Sequence, residues 1–160
     1  MDTHDITLQL ASRRDSLRLA SMSRDLIEAG LGWNYQPQRI RRLIEDAEMA
    51  TLVARSGETI AGFGMMKFGD ERSHLVLLAV CPAFQRHGIG TRITQWLTWS
   101  AGVAGMASIH VELRALNNAA YEFYRHIGFS ETLRLPGYYS GRETAIRMIR
   151  MLRAPESLTR

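Results

Sequence analysis

The run Gln85-Arg86-His87-Gly88-Ile89-Gly90-Thr91 combines residue types and a spacing that suit anion chemistry. Gly88 and Gly90 remove side chains where a ligand would have to approach the backbone, and the run sits between an apolar stretch at 75–80 and a segment of helical periodicity. The first-turn amides of a helix lack intrahelical acceptors and point outward as donors, backed by the positive end of the helix dipole. Together they favour an anion. The field alone is worth only about 0.3–1 kcal/mol at a surface and ~2 kcal/mol when partly buried, so Arg86 and several amides must share the work. A diphosphate suits such a cradle. An isolated Gly-x-Gly is more often a plain strand-to-helix turn, and the position between strand and helix is what raises this one above that reading. The nucleoside-triphosphate spacing Gly-x-x-x-x-Gly-Lys-Ser/Thr and the dinucleotide fingerprint Gly-x-Gly-x-x-Gly are both absent.

Residues 108–114 alternate Ile109, Val111 and Leu113 against His110, Glu112 and Arg114, a strand pattern with one polar face that asks for a purpose. His4, His74, His87, His110 and His126 have no metal-ligand spacing and Cys81 has no second thiolate, so no metal is expected. Cys81 precedes Pro82 at a strand end, where a small packed residue is the simpler reading.

The elements that must position these groups follow from periodicity. Residues 6–10 read as a first strand, and 13–29 carry Leu17, Ala20, Leu26 and Ile27 at imperfect helical spacing before Gly30-Leu31-Gly32. Pro37 opens a second helix with Ile40, Leu43, Ile44 and Ala47 at i, i+3, i+4, i+7. Strands at 50–55 and 59–68 flank the Ser56-Gly57 turn, and a hairpin over 69–72 leads to a fourth strand near 74–81, apolar without alternation and so buried on both faces. A helix over 88–103 follows, with Trp96 and Trp99 read as packing residues, and then the strand at 108–114. Asn117 caps a short helix bearing Ala120, Phe123, Tyr124 and Ile127 that Gly128 stops. Strands at 129–135 and 142–151 close the chain. Pro136-Gly137 and Ser140-Gly141 bend it between them, leaving Tyr138 and Tyr139 in an exposed connection or at a strand edge.

Composition narrows the class. A chain of 160 residues is one domain, able to bury roughly two thirds of its extended surface without staples. The single cysteine and an N-terminus without a basic-then-apolar leader point to the cytoplasm, and no apolar run approaches the ~20 residues of a membrane span. A net charge of +4 raises the question of nucleic acid. The arginines are dispersed apart from Arg39, Arg41 and Arg42, and no aromatic-basic stacking platform is visible, so the excess suits a polyanionic small molecule better.

Gln/Arg-x-x-Gly-x-Gly after an apolar strand resembles the acyl-coenzyme A motif of the GNAT N-acetyltransferase superfamily. The resemblance extends over about residues 5–152, through Val111-Glu112-Leu113-Arg114-Ala115-Leu116-Asn117-Asn118 and the Phe123-Tyr124-Arg125-His126-Ile127-Gly128-Phe129 ending of a Tyr-bearing helix. Within the family the chain is most similar to the branch that acetylates the N-terminal alanine of a ribosomal protein, with Glu112, Arg114, Asn117, Tyr138, Tyr139 and Glu143 as counterparts of that branch's motifs. The resemblance implies an α/β fold with a central mixed sheet of about seven strands flanked by four helices, as one domain over 1–160 with a frayed tail at 153–160. It implies direct transfer of acetyl from acetyl-coenzyme A to a primary amine, either a peptide or protein N-terminus or a small molecule. The pantetheine arm is expected against backbone groups of Leu78, Ala79 and Val80, with the diphosphate on Gln85, Arg86, His87, Gly88, Ile89, Gly90 and Thr91, and with Asn117 and Tyr124 facing the arm and the thioester sulfur.

By the same resemblance Glu112 is the general base, directly or through water, and Tyr124 the proton donor to the leaving thiolate. Burial would raise the Glu112 pKa towards the working range, whereas His110 and Arg114 would oppose that if close and charged. Simpler readings make Glu112 a surface carboxylate paired with Arg114 and Tyr124 a core tyrosine. Trp33, Tyr35, Tyr138 and Tyr139 are expected to frame the acceptor, and the protein to be a monomer or homodimer. Two alternatives stand beside this: a coenzyme A-binding regulatory module without turnover, and a small basic nucleic-acid binder.

Overall fold

A computed structural model describes residues 5–153. Apart from Arg153, the expected frayed tail lies outside the described residues. The chain order is β1 (Ile6–Leu10), α1 (Ser16–Met22), α2 (Pro37–Glu45), β2 (Met49–Ser56), β3 (Thr59–Phe68), β4 (Arg72–Val80), α3 (Ile89–Val103), β5 (Ser108–Arg114), α4 (Asn118–His126), β6 (Ser130–Tyr139) and β7 (Glu143–Met151). The strands form one sheet in the order β1-β2-β3-β4-β5-β7-β6. All neighbours run antiparallel except β4 and β5, which are parallel.

The sheet is covered on both faces. On one side Ile89, Ile93, Leu97 and Ala101 of α3 pack with Leu52, Leu75, Ile109, Val111 and Tyr124. On the other, Leu19, Ala20 and Met22 of α1 and Ile40 of α2 pack on Val53, Phe63, Met65, Leu77 and Ala79. The fourth strand alternates buried and half-buried residues along its length, so its continuous apolar run reflects cover on both sides. One extra residue, Val76, sits in β4 where Met65 pairs with Leu77 and Met66 with Leu75. This bulge switches faces: Leu75 joins the α3 core while Leu77 joins the α1–α2 core. It also adds twist just where β4 leaves its parallel partner, for β4 and β5 pair only at Arg72–Ser108, Ser73–Ile109 and His74–His110. Beyond His74 the two strands part, and a cleft opens between them.

Helix α3 approaches the sheet closely because β3 has glycine beneath it. A Cβ on Gly64 would lie 2.8 Å from Ile93 Cγ2 and 2.9 Å from Leu97 Cδ1, and one on Gly62 would lie 2.9 Å from the Ala79 carbonyl oxygen.

Several elements depart from expectation. Residues 13–29 do not form one helix. A 3-10 turn (Arg13–Asp15) precedes α1 and a π-helical turn (Ser23–Ile27) follows it, which suits the imperfect spacing of the apolar residues. Helix α2 stops at Glu45, so Ala47 lies outside it. Strand β6 continues through Pro136-Gly137 as an irregularity and reaches Tyr139, leaving the bend to residues 140–142. Because β6 is the sheet's edge, proline is tolerated there. Trp99 is 64% exposed and does not pack in the core, while Trp96 is half-buried against it.

Candidate active site

The loop before α3 has the geometry of an anion cradle. Gly88 caps the helix at φ +74°, and Arg86 adopts φ +66°, a left-handed conformation that a side-chain-bearing residue rarely occupies. Phe84 and Gln85 spend their amides on Cys81 and Pro82, and Arg92 bonds to Gly88. Among the described residues the amides of 86–91 have no acceptor. Such a consecutive set of unpaired donors at a helix start is a site for an anion. The side chains divide the labour. Ile89 is buried and anchors the turn, Arg86 and His87 are exposed, and Gln85 Nε2 donates to the Val80 carbonyl at 3.0 Å, tying the loop to β4.

Between this loop and the acceptor side, β4 presents an open edge. The Cys81 amide donates to Ala61 of β3, and backbone direction alternates along a strand, so Ala79 also turns its groups to β3. Leu78 and Val80 therefore face the open edge. Ala79, expected to lend backbone groups to a pantetheine arm, has committed them to the sheet.

A cavity of about 740 Å³ fills the cleft between β4 and β5, a volume ordinary for a small-molecule site. Leu75–Leu78 region residues, Glu112, Asn117 and Tyr124 line it, with Tyr35, Tyr138 and Tyr139 at the acceptor end. Trp33 is not among the lining residues. Its Nε1 donates to the Ala20 carbonyl at 3.1 Å, and Arg24 stacks over its ring at 5.0 Å, so it braces α1 and is not part of the acceptor wall.

Glu112 projects from β5 with its side chain 11% exposed, between the side chains of Arg147 and His74. Arg147, its direct partner on β7, donates from Nε to Oε1 at 2.9 Å. His74 on β4 brings Nε2 within 2.5 Å of Oε2, off the line of a good hydrogen bond, and Oε2 has no other partner. The His74 contact foremost, with Arg147 behind it, holds the carboxyl below its ordinary value of 4.5 against the opposing effect of burial. Burial does raise it, as expected, but the opposition that prevails comes from His74 and Arg147 and not from His110 and Arg114. Arg114 is not the partner of Glu112 either. It makes a two-point pair with Glu143 at 2.8 and 2.5 Å and donates to the Ala29 carbonyl at 2.7 Å, pinning the segment after α1 to β5 and β7.

Tyr124 is buried, its ring held edge-on between Phe123 at 5.2 Å and Phe129 at 5.4 Å. Among the described residues its hydroxyl has no hydrogen-bond partner, and burial pushes the phenol well above the ordinary tyrosine range. It is a neutral donor at physiological pH. Asn117 does cap α4, its side-chain oxygen accepting from the Ala120 amide at 3.0 Å, which leaves its amide nitrogen available at the cavity.

The acceptor end joins two segments distant in sequence. Tyr138 and Tyr139 meet edge to face at 5.0 Å, and Ser140 donates to the Leu31 carbonyl at 3.0 Å across the mouth. Glu28, buried, accepts from Ser23, from the Asn34 amide at 2.7 Å and from the Tyr35 amide, shaping the loop that carries Tyr35. Arg39 stacks over Tyr35 at 4.3 Å. Glu28 and Arg147 were not singled out from the sequence, and Arg39 and His74 were considered only as part of a basic group and as a histidine without metal-ligand spacing. Only Arg147 had a usable signal, since pairing strand 108–114 antiparallel with 142–151 sets it opposite Glu112.

Comparison with known proteins gives the family. The family described as Acetyltransferase (GNAT) domain matches residues 47–131. N-alpha-acetyltransferase RimI of Mycobacterium tuberculosis is 28% identical over 142 residues, covering 86% of this chain and 87% of that protein. The ribosomal protein bS18-alanine N-acetyltransferase of Escherichia coli K12 is 34% identical over 92 residues, 56% of this chain and 62% of that protein, so this match spans less than two thirds of its length. The solved structure of NAA60 from Arabidopsis thaliana in complex with acetyl-CoA superimposes with a TM-score of 0.81 over 92% of this chain and 98% of that one, at 16% identity. The chain belongs to the GNAT acetyltransferase family. It is an N-acetyltransferase with acetyl-coenzyme A as acetyl donor and an amine as acceptor, which sets aside the silent module and the nucleic-acid binder. Among the described residues no helix is long and apolar enough to cross a membrane.

Proposed function

We propose that this enzyme acetylates the α-amine of a peptide or protein N-terminus, acting in the cytoplasm. The observation that carries the reading is the placing of Glu112 on the cavity wall with its carboxylate between His74 and Arg147. A carboxylate held below its ordinary pKa by His74 and Arg147 is a weak base, suited to an amine that parts with its proton readily. An α-amine, at about 7.7–8.0, is some two and a half units easier to deprotonate than a lysine side chain at about 10.4. The relatives named above as N-alpha and alanine N-acetyltransferases support the same acceptor class. So does a mouth walled by Tyr35, Tyr138 and Tyr139, with Tyr138 49% exposed, broad enough for a chain to leave.

The residues fit the donor. The unpaired amides of 86–91 suit a diphosphate, the free edge at Leu78 and Val80 suits the amides of a pantetheine arm, and the cavity suits the acetyl end. When bound, acetyl-coenzyme A supplies an activated acyl group that an amine displaces from sulfur. Glu112 takes the proton of the incoming ammonium, directly or through a water. Tyr124, kept neutral by burial, donates to the departing sulfur. The Leu78 and Val80 amides, directed to the open edge, stabilise charge on the carbonyl oxygen, and Asn117 orients the arm.

Free-thiol release from the intact protein tests the acceptor class, with short peptides bearing a free α-amine set against the same peptides blocked at the N-terminus but carrying a lysine, and against small alkyl amines. Turnover on the free α-amine peptides alone is expected. Equal or better turnover on alkyl amines would overturn the reading.

A further inference from the structure

Acetylation of an ammonium releases two protons from nitrogen. One ends on the sulfur of coenzyme A and the other must reach water. Glu112, taken above as the first acceptor, is poorly placed to deliver it, because its side chain is only 11% exposed. We propose that His74 is the proton exit, taking the proton from Glu112 and releasing it to solvent. This rests on the reading of Glu112 as the base.

Three features of the geometry carry it. His74 Nε2 lies 2.5 Å from Glu112 Oε2, and the His74 side chain is 44% exposed, so the contact joins a buried carboxylate to a group in touch with water. Arg147 occupies the other oxygen, Oε1, and leaves Oε2 without a competing hydrogen bond, which makes Oε2 the atom free to carry a proton. The backbone fixes the approach as well, since His74 belongs to the last parallel pair before β4 and β5 part, at the closed end of the cleft. In the transfer the imidazole, neutral at the start, turns into line with Oε2, the O–H bond there breaks and an N–H bond at Nε2 forms. The imidazolium then loses one ring proton to water, and both groups regain their starting charges. Imidazoles as a class are more basic than carboxylic acids and exchange protons with water near neutral pH, so the direction is downhill and release is not a trap. The titratable and charged groups around the pair are His110 on β5, Arg147 on β7, Lys67 opposite His74 on β3, Arg72 on the same strand, and Tyr35 and Tyr139 on the acceptor wall.

His74 acts through Glu112 and is a positioning residue in the sense that it need not touch substrate. The test uses the intact enzyme with a peptide acceptor and compares His74→Gln, His74→Ala and Glu112→Gln. Glutamine retains a polar contact with Glu112 but cannot carry a proton. His74→Gln should lower kcat roughly 10-fold, less than the ~10²–10⁴-fold of losing a general base, with the KM for acetyl-coenzyme A unchanged. Added imidazole should restore His74→Ala in a concentration-dependent way, and a pH indicator in weakly buffered solution should show proton release slowed in step with kcat. If Glu112→Gln is inactive while His74→Gln keeps the parental rate and pH profile and imidazole does nothing for His74→Ala, the exit is refuted and the base stands. If Glu112→Gln turns over like the parent, the base reading falls and takes the exit with it.

Discussion

Replacing Tyr124 by phenylalanine removes one oxygen and separates two properties that usually travel together. The ring is locked between Phe123 and Phe129, so the variant keeps its packing. Its hydroxyl has no protein partner among the described residues but stays open to the cavity, where water reaches it. Burying a hydroxyl without a hydrogen bond costs about 1–3 kcal/mol on mutational scales, and water in the cavity recovers part of that. The variant is therefore expected to match the parent to within about 1 kcal/mol, a Tm change of no more than roughly 2–4 °C in a domain of this size. By the proposed mechanism the same change removes the proton donor to sulfur, so kcat should fall about 10²–10⁴-fold, or some 3–5 kcal/mol of barrier. Thermal melting without ligand gives the first quantity and thiol release under saturating substrates the second. A variant that melts several degrees lower would show that the hydroxyl has a stabilising partner. One that turns over like the parent would show that Tyr124 is a core tyrosine and no acid.

Two more outcomes follow from the packing and the charges. Gly64→Ala places a Cβ within 3 Å of the buried Ile93 and Leu97, and such overpacking costs typically 1–3 kcal/mol, so unligated Tm should drop by roughly 2–10 °C, as read by calorimetry. Glu112 has a folded pKa below its ordinary 4.5, so its contribution to stability is present above that value and is lost as pH falls through the folded one. The gap in urea midpoint between parent and Glu112→Gln should accordingly be wide at pH 7 and shrink on acidification. A gap that stays constant down to about pH 3 would remove the His74 and Arg147 contacts as the cause.

Much of this was legible in the residues because the signals were local. The unbroken apolar run at 75–80 announced a strand covered on both faces, the alternation at 108–114 set Glu112 on a polar face, and Gly88 marked the left-handed cap of α3. What escaped depended on register. The Val76 bulge that splays the cleft is one residue's slip between β3 and β4, and nothing in an apolar run fixes where it falls. His74 meets Glu112 only through a parallel pairing of strands separated by a whole helix. The simpler alternative that paired Arg114 with Glu112 fails because nearness in sequence on one strand face does not reveal Glu143, which reaches Arg114 from β7. Pro136-Gly137 looked like a turn. On an edge strand, with no outer neighbour to need the missing amide, it is only an irregularity within β6.

Backbone amide resonances report directly on whether the free amides ahead of α3 grip the diphosphate of coenzyme A, as proposed. Titrating isotopically labelled protein with coenzyme A should shift the 1H–15N signals of residues 86–91 together, while acetyl-pantetheine, which lacks the diphosphate, should perturb the cavity residues near Leu78 and Asn117 and leave that loop unmoved. Saturation with coenzyme A that moves another cluster and leaves 86–91 in place would contradict the account.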